Sequence, residues 1–269
     1  MNKTRPNISI CIPAYEMGND GAKFLKRALQ SLATQNFRDF DVVVSDQSSN
    51  NAVAQECQNW ESSLNIKHIW NRNSERKSST NVNFALNHAN GEILKVLFQD
   101  DFFCSDEALE RIYSTLSVSS KMWLLCGSGI CSDGITVEKQ MVPRLNKGIC
   151  FGNNTVSSPS VVAIKSECRE RFDERLIWLM DVEYYQRLWS KYGTPEIIAE
   201  TMIANGIHGG QVSSNIDLTI QKTELVTVWQ THRSTLSFAE KFEYYRRRLK
   251  LFQKTLVTPR FGKERKLNF

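Results

Sequence analysis

The first 125 residues alternate short β-rich runs with amphipathic helical patterns, which points to βαβ units building a parallel sheet. Residues 8–12 read as a buried strand. Residues 21–35 follow with Phe24, Leu25, Ala28, Leu29 and Leu32 on one face, the spacing of a helix packed on a core. Strands at 40–44, 66–70, 93–98 and 123–126 then alternate with helices at 51–60, 80–89 and 107–116. Asn50 or Asn51 is placed to cap the first of these helices and Asp106 the last, and the turn Asn90-Gly91 opens the fourth strand. Strand periodicity loosens after residue 126. A helix is expected over 181–191, stopped by Tyr192-Gly193-Thr194-Pro195, with a late strand over 196–204. Two helices over 217–233 and 237–256 close the chain, with Ser237 as the cap of the second.

With 41% hydrophobic and 23% charged residues, a chain of 269 can bury one large core. No stretch of 18 apolar residues occurs, so no membrane span is expected, and the N-terminus lacks the long apolar segment of a secretory signal. The seven cysteines are scattered with no C-x-x-C pair, which argues against a disulfide framework or zinc site and points to a reducing cytoplasm. The net charge of +5 is unevenly placed. Residues 240–269 hold ten Lys/Arg against three Glu, a local +7 that leaves −2 for the rest of the chain.

Ligands of open parallel sheets bind beyond the carboxyl ends of the strands. Three polar clusters fall there: Pro13-Ala14-Tyr15-Glu16, Ser45-Asp46-Gln47-Ser48-Ser49 and Gln99-Asp100-Asp101. Adjacent carboxylates at a low-dielectric sheet edge resist double ionisation unless a cation is present. A divalent metal resolves this, and a diphosphate can share its shell, because Mg²⁺ and Mn²⁺ prefer oxygen ligands. There is no G-x-x-x-x-G-K-[ST] and no G-x-G-x-x-G after the first strand, so P-loop and dinucleotide-binding readings lose their main support.

The segments SICIPAYE, LKRALQSLATQNFRDFDVVVSDQSS and NVNFALNHANGEILKVLFQDDFF, in that order, resemble the N-terminal half of the inverting family 2 glycosyltransferases. The resemblance implies the GT-A fold, an α/β architecture whose Rossmann-like, mostly parallel central sheet is flanked by helices, here with a helical C-terminal extension. It implies a GT-A domain over 1–215, with a nucleotide-sugar-binding half (1–125) and an acceptor half (126–215), followed by a basic helical extension (216–269). The activity implied is transfer of a sugar from a nucleotide-diphosphate sugar to a hydroxyl acceptor by single displacement with inversion, in surface polysaccharide or glycolipid synthesis. A D-x-D-type element is implied at Gln99-Asp100-Asp101, with Asp101 a ligand of Mn²⁺ or Mg²⁺ and Asp100 a contact to donor sugar or ribose. Pro13, Tyr15 and Asp46 become nucleoside contacts. Where the common pattern places a second acidic residue after Asp46, this chain has Gln47, which leaves UDP-, GDP- and dTDP-sugars open.

The same resemblance carries the general-base role to Asp181, after Ser158-Pro159-Ser160 and at the start of a helix; Asp173, Glu174 and Glu183 compete for it. His208, in NGIHGGQVSSN, becomes a metal or diphosphate contact, and Gly209-Gly210 permits close approach or loop movement. His68 and His88 read as structural. The basic C-terminal segment, which interleaves cations with aromatic and aliphatic residues, is a candidate for peripheral attachment to an anionic membrane that carries a lipid-linked or saccharide acceptor. No nucleic-acid motif accompanies it. The alternatives are a sugar nucleotidyltransferase, which would want a Gly-rich basic loop after the first strand, and a non-catalytic nucleotide-sugar-binding protein, which would lack the base.

Overall fold

The computed structural model describes residues 5–72, 74–209 and 216–257. Strand β1 (Ile8–Ala14) is buried at every position, as a run that is apolar but for Ser9 requires of a strand covered on both faces. It pairs in parallel with β2 (Phe40–Asp46) on one side and β4 (Ile93–Val96) on the other, and β3 (Ile66–Trp70) adds in parallel to the outside of β2. The expected parallel sheet is therefore present through β3-β2-β1-β4. The strand order reverses between β1 and β4, so a crevice opens at their carboxyl ends.

Beyond β4 the sheet becomes mixed. The strands β5 (Phe102–Phe103), β6 (Trp123–Cys131), β7 (Glu138–Met141), β8 (Val162–Lys165) and β9 (Glu196–Gly206) extend it to the order β3-β2-β1-β4-β8-β6-β9-β5, with β7 paired to β6. β8 runs antiparallel to both β4 and β6, while β9 runs parallel to β6. The sequence pattern did not indicate β7, whose residues Glu138, Lys139 and Gln140 are exposed and give no apolar alternation.

Helix α1 (Gly21–Ala33) buries Leu25, Ala28, Leu29 and Leu32 as their spacing predicts, whereas Phe24 stays half-buried at the edge of that face. The other helices are α2 (Ala52–Trp60), α3 (Ser78–His88), α4 (Ala108–Val118), α5 (Met180–Tyr192), α6 (Leu218–His232) and α7 (Phe238–Val257). Asn50 accepts the Ala52 N–H at the start of α2, at 3.0 Å. Asp106 does not cap α4: its carbonyl accepts the Asn36 N–H, and the Ser105 hydroxyl meets the Glu107 N–H at 3.3 Å instead. Gly193, at φ +75°, follows α5 where the sequence stops it. At the start of α7, Ser237 and Glu240 form the reciprocal capping pair: the Glu240 carboxylate takes the Ser237 N–H at 2.7 Å, and the Ser237 hydroxyl faces the Glu240 N–H at 3.4 Å.

The closing helices are packed into the body. Leu225, Val228, Tyr244 and Leu251 belong to the main apolar core, and Tyr244 stacks on Trp229 with ring centroids 4.1 Å apart.

Gly91 sits where the chain enters β4, and a Cβ there would collide with the Ser9 backbone nitrogen. Gly91→Ala should therefore push β4 away from β1, lowering stability by about 1–3 kcal/mol in urea unfolding.

Candidate functional site

A cavity of about 290 Å³ lies at the crevice between the carboxyl ends of β1 and β4. Of the eight site residues expected from the sequence, Pro13, Tyr15, Gln47, Asp100, Asp101 and Asp181 line it, and Asp46 and His208 do not. Asp181 belongs to α5, far along the chain, so the fold brings together residues from both halves.

The parallel strands and the loops after them build one side. Gln99, 2% exposed, accepts the Tyr15 N–H at 2.9 Å and donates to the carbonyls of Tyr15 and Gly21 at 3.1 and 2.6 Å. A carboxylate at this position could accept but not donate, so the local backbone favours an amide here. Glu16 pairs with Arg76, and its other oxygen takes the Ser49 N–H at 3.3 Å, so three loops share one ion pair. Gln47 gives its amide protons to Ser74 Oγ (2.7 Å) and the Glu75 carbonyl (2.9 Å). What remains for a ligand is its carbonyl oxygen. Asp46 is fully buried behind it, accepting from Ser48 N–H at 2.8 Å and facing His68 Nε2 at 2.9 Å. The sequence reading of His68 as structural thus acquires a specific partner.

The carboxylate pair stands at the end of β4. Asp101 is 4% exposed; its Oδ1 accepts the Gly206 N–H at 3.0 Å, and its Oδ2 lies 2.8 Å from Ser158 Oγ. Burial, and next the adjacent Asp100 carboxylate, push the Asp101 carboxyl up to about 7. Asp100 turns its Oδ2 toward His208 Nε2 at 3.0 Å, and the His208 ring lies against Phe24 with centroids 4.6 Å apart. That hydrogen bond raises the His208 imidazole above its ordinary range. Gly210, like residues 211–215, lies outside the described residues.

Two hard oxygen donors that resist joint ionisation suit Mg²⁺ or Mn²⁺. Among the described residues no group of three or more His, Cys, Asp and Glu side chains is arranged to hold a metal. The donor set on offer is the carboxylate pair, which matches a cation that keeps waters and takes phosphate oxygens rather than one caged by protein.

The opposite wall comes from the loop before α5. Asp181, in the first turn of that helix, accepts from Asn154 Nδ2 and from the Val182 N–H, each at 2.8 Å. Burial raises its carboxyl to about 6, and the negative charge of Glu224 adds to the rise. The three competing acids do not line the cavity. Asp173 is bound to Arg175, Glu174 to Arg171 and Asn83, and Glu183 to His232 and Arg187. Asn154 also donates to the Ser157 carbonyl at 3.0 Å, which links Asp181 to the loop whose next residue, Ser158, meets Asp101.

Sequence inspection missed Glu224. Its carboxylate, 4% exposed on α6, accepts the backbone N–H groups of Ile177, Trp178 and Leu179 at 2.7, 2.9 and 2.9 Å. It therefore shapes the turn that carries Ile177, Trp178 and Met180 into the cavity wall. The only sequence signal is a Glu flanked by Leu225 and Val228 on a mostly apolar stripe, which does not reveal a partner 45 residues away.

The architecture is that of the GT-A glycosyltransferases. Residues 9–134 match the model of the family described as Glycosyl transferase family 2, which covers β1 to β6 and leaves Asp181 and His208 outside. The chain is 31% identical over 112 residues to GalNAc(5)-diNAcBac-PP-undecaprenol beta-1,3-glucosyltransferase of Campylobacter jejuni; the aligned part covers 41% of this chain and 33% of that protein. The chain thus spans about a third of that relative's length. Among solved structures, S. aureus TarS 1–349 superposes with a TM-score of 0.66 at 18% identity, covering 96% of this chain and 76% of that one. The same protein in complex with UDP-GlcNAc gives 0.64 at 17%, covering 92% and 81%. The mannosyltransferase PcManGT from Pyrobaculum calidifontis, in complex with GDP-Man and Mn²⁺, gives 0.60 at 14%, covering 95% and 77%. Together these likenesses support a glycosyltransferase.

Glu224→Ala would leave three backbone donors unmatched in a buried place, and should cost about 2–4 kcal/mol in urea unfolding. Glu224→Gln keeps one acceptor oxygen and should lose markedly less in the same measurement.

Proposed function

We propose that the protein transfers a sugar from a nucleotide-diphosphate sugar to a hydroxyl group, by a single displacement that inverts the anomeric centre. The observation that carries this reading is one cavity walled by Asp100 and Asp101 on one side and by Asp181 on the other. The carboxylate pair suits the diphosphate end of a donor, and Asp181 suits a base for the acceptor.

The nucleoside would lie along Pro13, Tyr15 and Gln47, with Asp46 bracing that wall through His68. Gln47 presents acceptor character, as a carboxylate would, because its amide protons are held by Ser74 and Glu75. A base with a ring N–H could meet it, so the departure from an acidic residue is compatible with uracil as well as guanine. Asp101, with Asp100 beside it, would hold Mn²⁺ or Mg²⁺, which would offset the negative charge growing on the leaving diphosphate. His208 holds Asp100 in place through its ring nitrogen.

Asp181 would take the proton of the attacking hydroxyl. Its carboxyl, raised to about 6, is a stronger base than an ordinary aspartate yet stays ionised at neutral pH. The acceptor would enter past Trp178 and Met180. The Campylobacter jejuni relative is named for a lipid-linked saccharide, so an acceptor of that kind is the one to try first.

Calorimetry with UDP and with GDP tests the donor half. At least one should bind in the presence of Mn²⁺, and the binding should vanish in Asp101→Ala; equal binding without any divalent cation would overturn the metal assignment.

For the acceptor half, Asp181→Asn should bind nucleotide as the parent does and lose at least about a hundredfold in transfer rate. The parent's rate should climb with pH up to about 6 and then level, because the base works only when deprotonated. A pH-independent rate from 5 upward, or turnover retained in Asp181→Asn, would move the base elsewhere.

A further inference from the structure

Helix α7 carries a second apolar face that is largely outside the core, with Tyr245 at its margin set edge-on to Trp229 at 5.6 Å. Its packed side is formed by Glu240, Tyr244 and Leu251, all buried. On another side, Phe238, Phe242, Tyr245, Leu249 and Phe252 are each between 57% and 88% exposed. Their spacing of four, three, four and three residues lines them up as one continuous stripe about four turns long. Cations border it on both sides: Lys241 and Arg248 along one margin, Arg246 and Lys250 along the other. Large contiguous apolar surface rimmed by polar residues marks a place of contact.

Such a stripe could meet a second copy of this chain as a two-stranded coil. The charges oppose that. In a parallel pair Lys241 of one helix would face Arg246 of the other, and in an antiparallel pair each basic margin would face its own copy. Arg246 is paired to Glu243 at 2.6 Å, which relieves one position and leaves Lys241, Arg248 and Lys250 basic. An anionic surface accepts both margins at once. We propose that α7 lies in the plane of an anionic lipid bilayer, with Phe238, Phe242, Tyr245, Leu249 and Phe252 in the headgroup–acyl boundary and the flanking cations on the lipid phosphates. Among the described residues no helix is long and apolar enough to cross a membrane, so this contact would be peripheral.

The same helix touches the cavity wall. Arg247, on the side of α7 away from the stripe, sets its guanidinium 5.2 Å from the ring centre of Trp178, which lines the cavity. The bilayer surface would therefore stand about one helix diameter, roughly 10–12 Å, from the acceptor side of the site. The inference is independent of the transfer chemistry and can fail without it.

Co-sedimentation of the full chain with phosphatidylcholine vesicles, with and without phosphatidylglycerol, tests the contact. The protein should sediment with the anionic vesicles only, and raised salt should weaken the binding. The paired change Phe242→Ser and Phe252→Ser touches only exposed side chains; it should keep the parent's melting temperature and lower the partition coefficient roughly tenfold or more. Lys241→Glu with Arg248→Glu should lower it comparably. Failure of the parent to bind either vesicle, or binding unchanged in both paired variants, would overturn the proposal. So would a concentration-dependent dimer in analytical ultracentrifugation that Phe242→Ser abolishes, since the stripe would then be a self-interface.

Discussion

A buried carboxylate at the end of β4 joins parts of the chain that are distant in sequence. Asp101 receives the Gly206 N–H from β9 on one oxygen and faces the Ser158 hydroxyl on the other, so two late segments are anchored on an early one. Gly206 can approach this closely only because it lacks a side chain, since a Cβ would run into the Asp100 carbonyl. These donors fix the position of the carboxylate without neutralising it. The fully buried Lys95 gives its ammonium to the carbonyls of Val96 and Ser160; burial lowers it to about 8, and the nearby Asp101 charge works partly against that fall. The fold thus holds a carboxyl group in place where its charge is costly, the condition under which the proposed divalent cation would stabilise the ionised form.

The wall built by the parallel strands was legible in the sequence because local rules govern it. Strands β1, β2 and β4 are short, largely apolar runs, and each polar cluster begins within or just beyond one: Pro13 inside β1, Gln47 directly after β2 and Gln99 three residues past the end of β4. The reversal of strand order then brings those ends together, as open sheets do. The D-x-D-type element at Gln99-Asp100-Asp101 gave roles to its two aspartates and none to Gln99. Its amide must both accept and donate to hold the Tyr15–Gly21 loop, and only the folded backbone shows that demand.

The opposite wall, with Trp178 and Asp181, was less legible, and the reason is again physical. Strands β6 to β9 pair in mixed directions through long connections, so neighbours in the sheet are not neighbours in the pattern. Asp106 illustrates a smaller miss: an acidic residue just before a helix is a common cap, but α4 begins at Ala108 after Glu107, one residue later than the pattern places it, and no side chain caps it. Glu224 illustrates a larger one. Nothing in a helix pattern distinguishes a glutamate that faces water from one that gathers three N–H groups of a remote turn.

The two sides of the cavity are consequently held by different kinds of force. Backbone ladders of the parallel strands position the wall that carries Pro13, Asp100 and Asp101, with the Gln99 amide and the Glu16–Arg76 pair fixing the loops beyond them. The wall that carries Trp178 and Asp181 rests on particular side chains of the closing helices: Glu224 on the backbone of 177–179, Arg247 over Trp178, and His232 on Glu183 one turn along α5. Substitution in α6 or α7 would therefore reshape this wall more than the one that carries Asp100 and Asp101. The helical extension is in this sense part of the site, and the family match ending at residue 134 divides the chain where its construction changes.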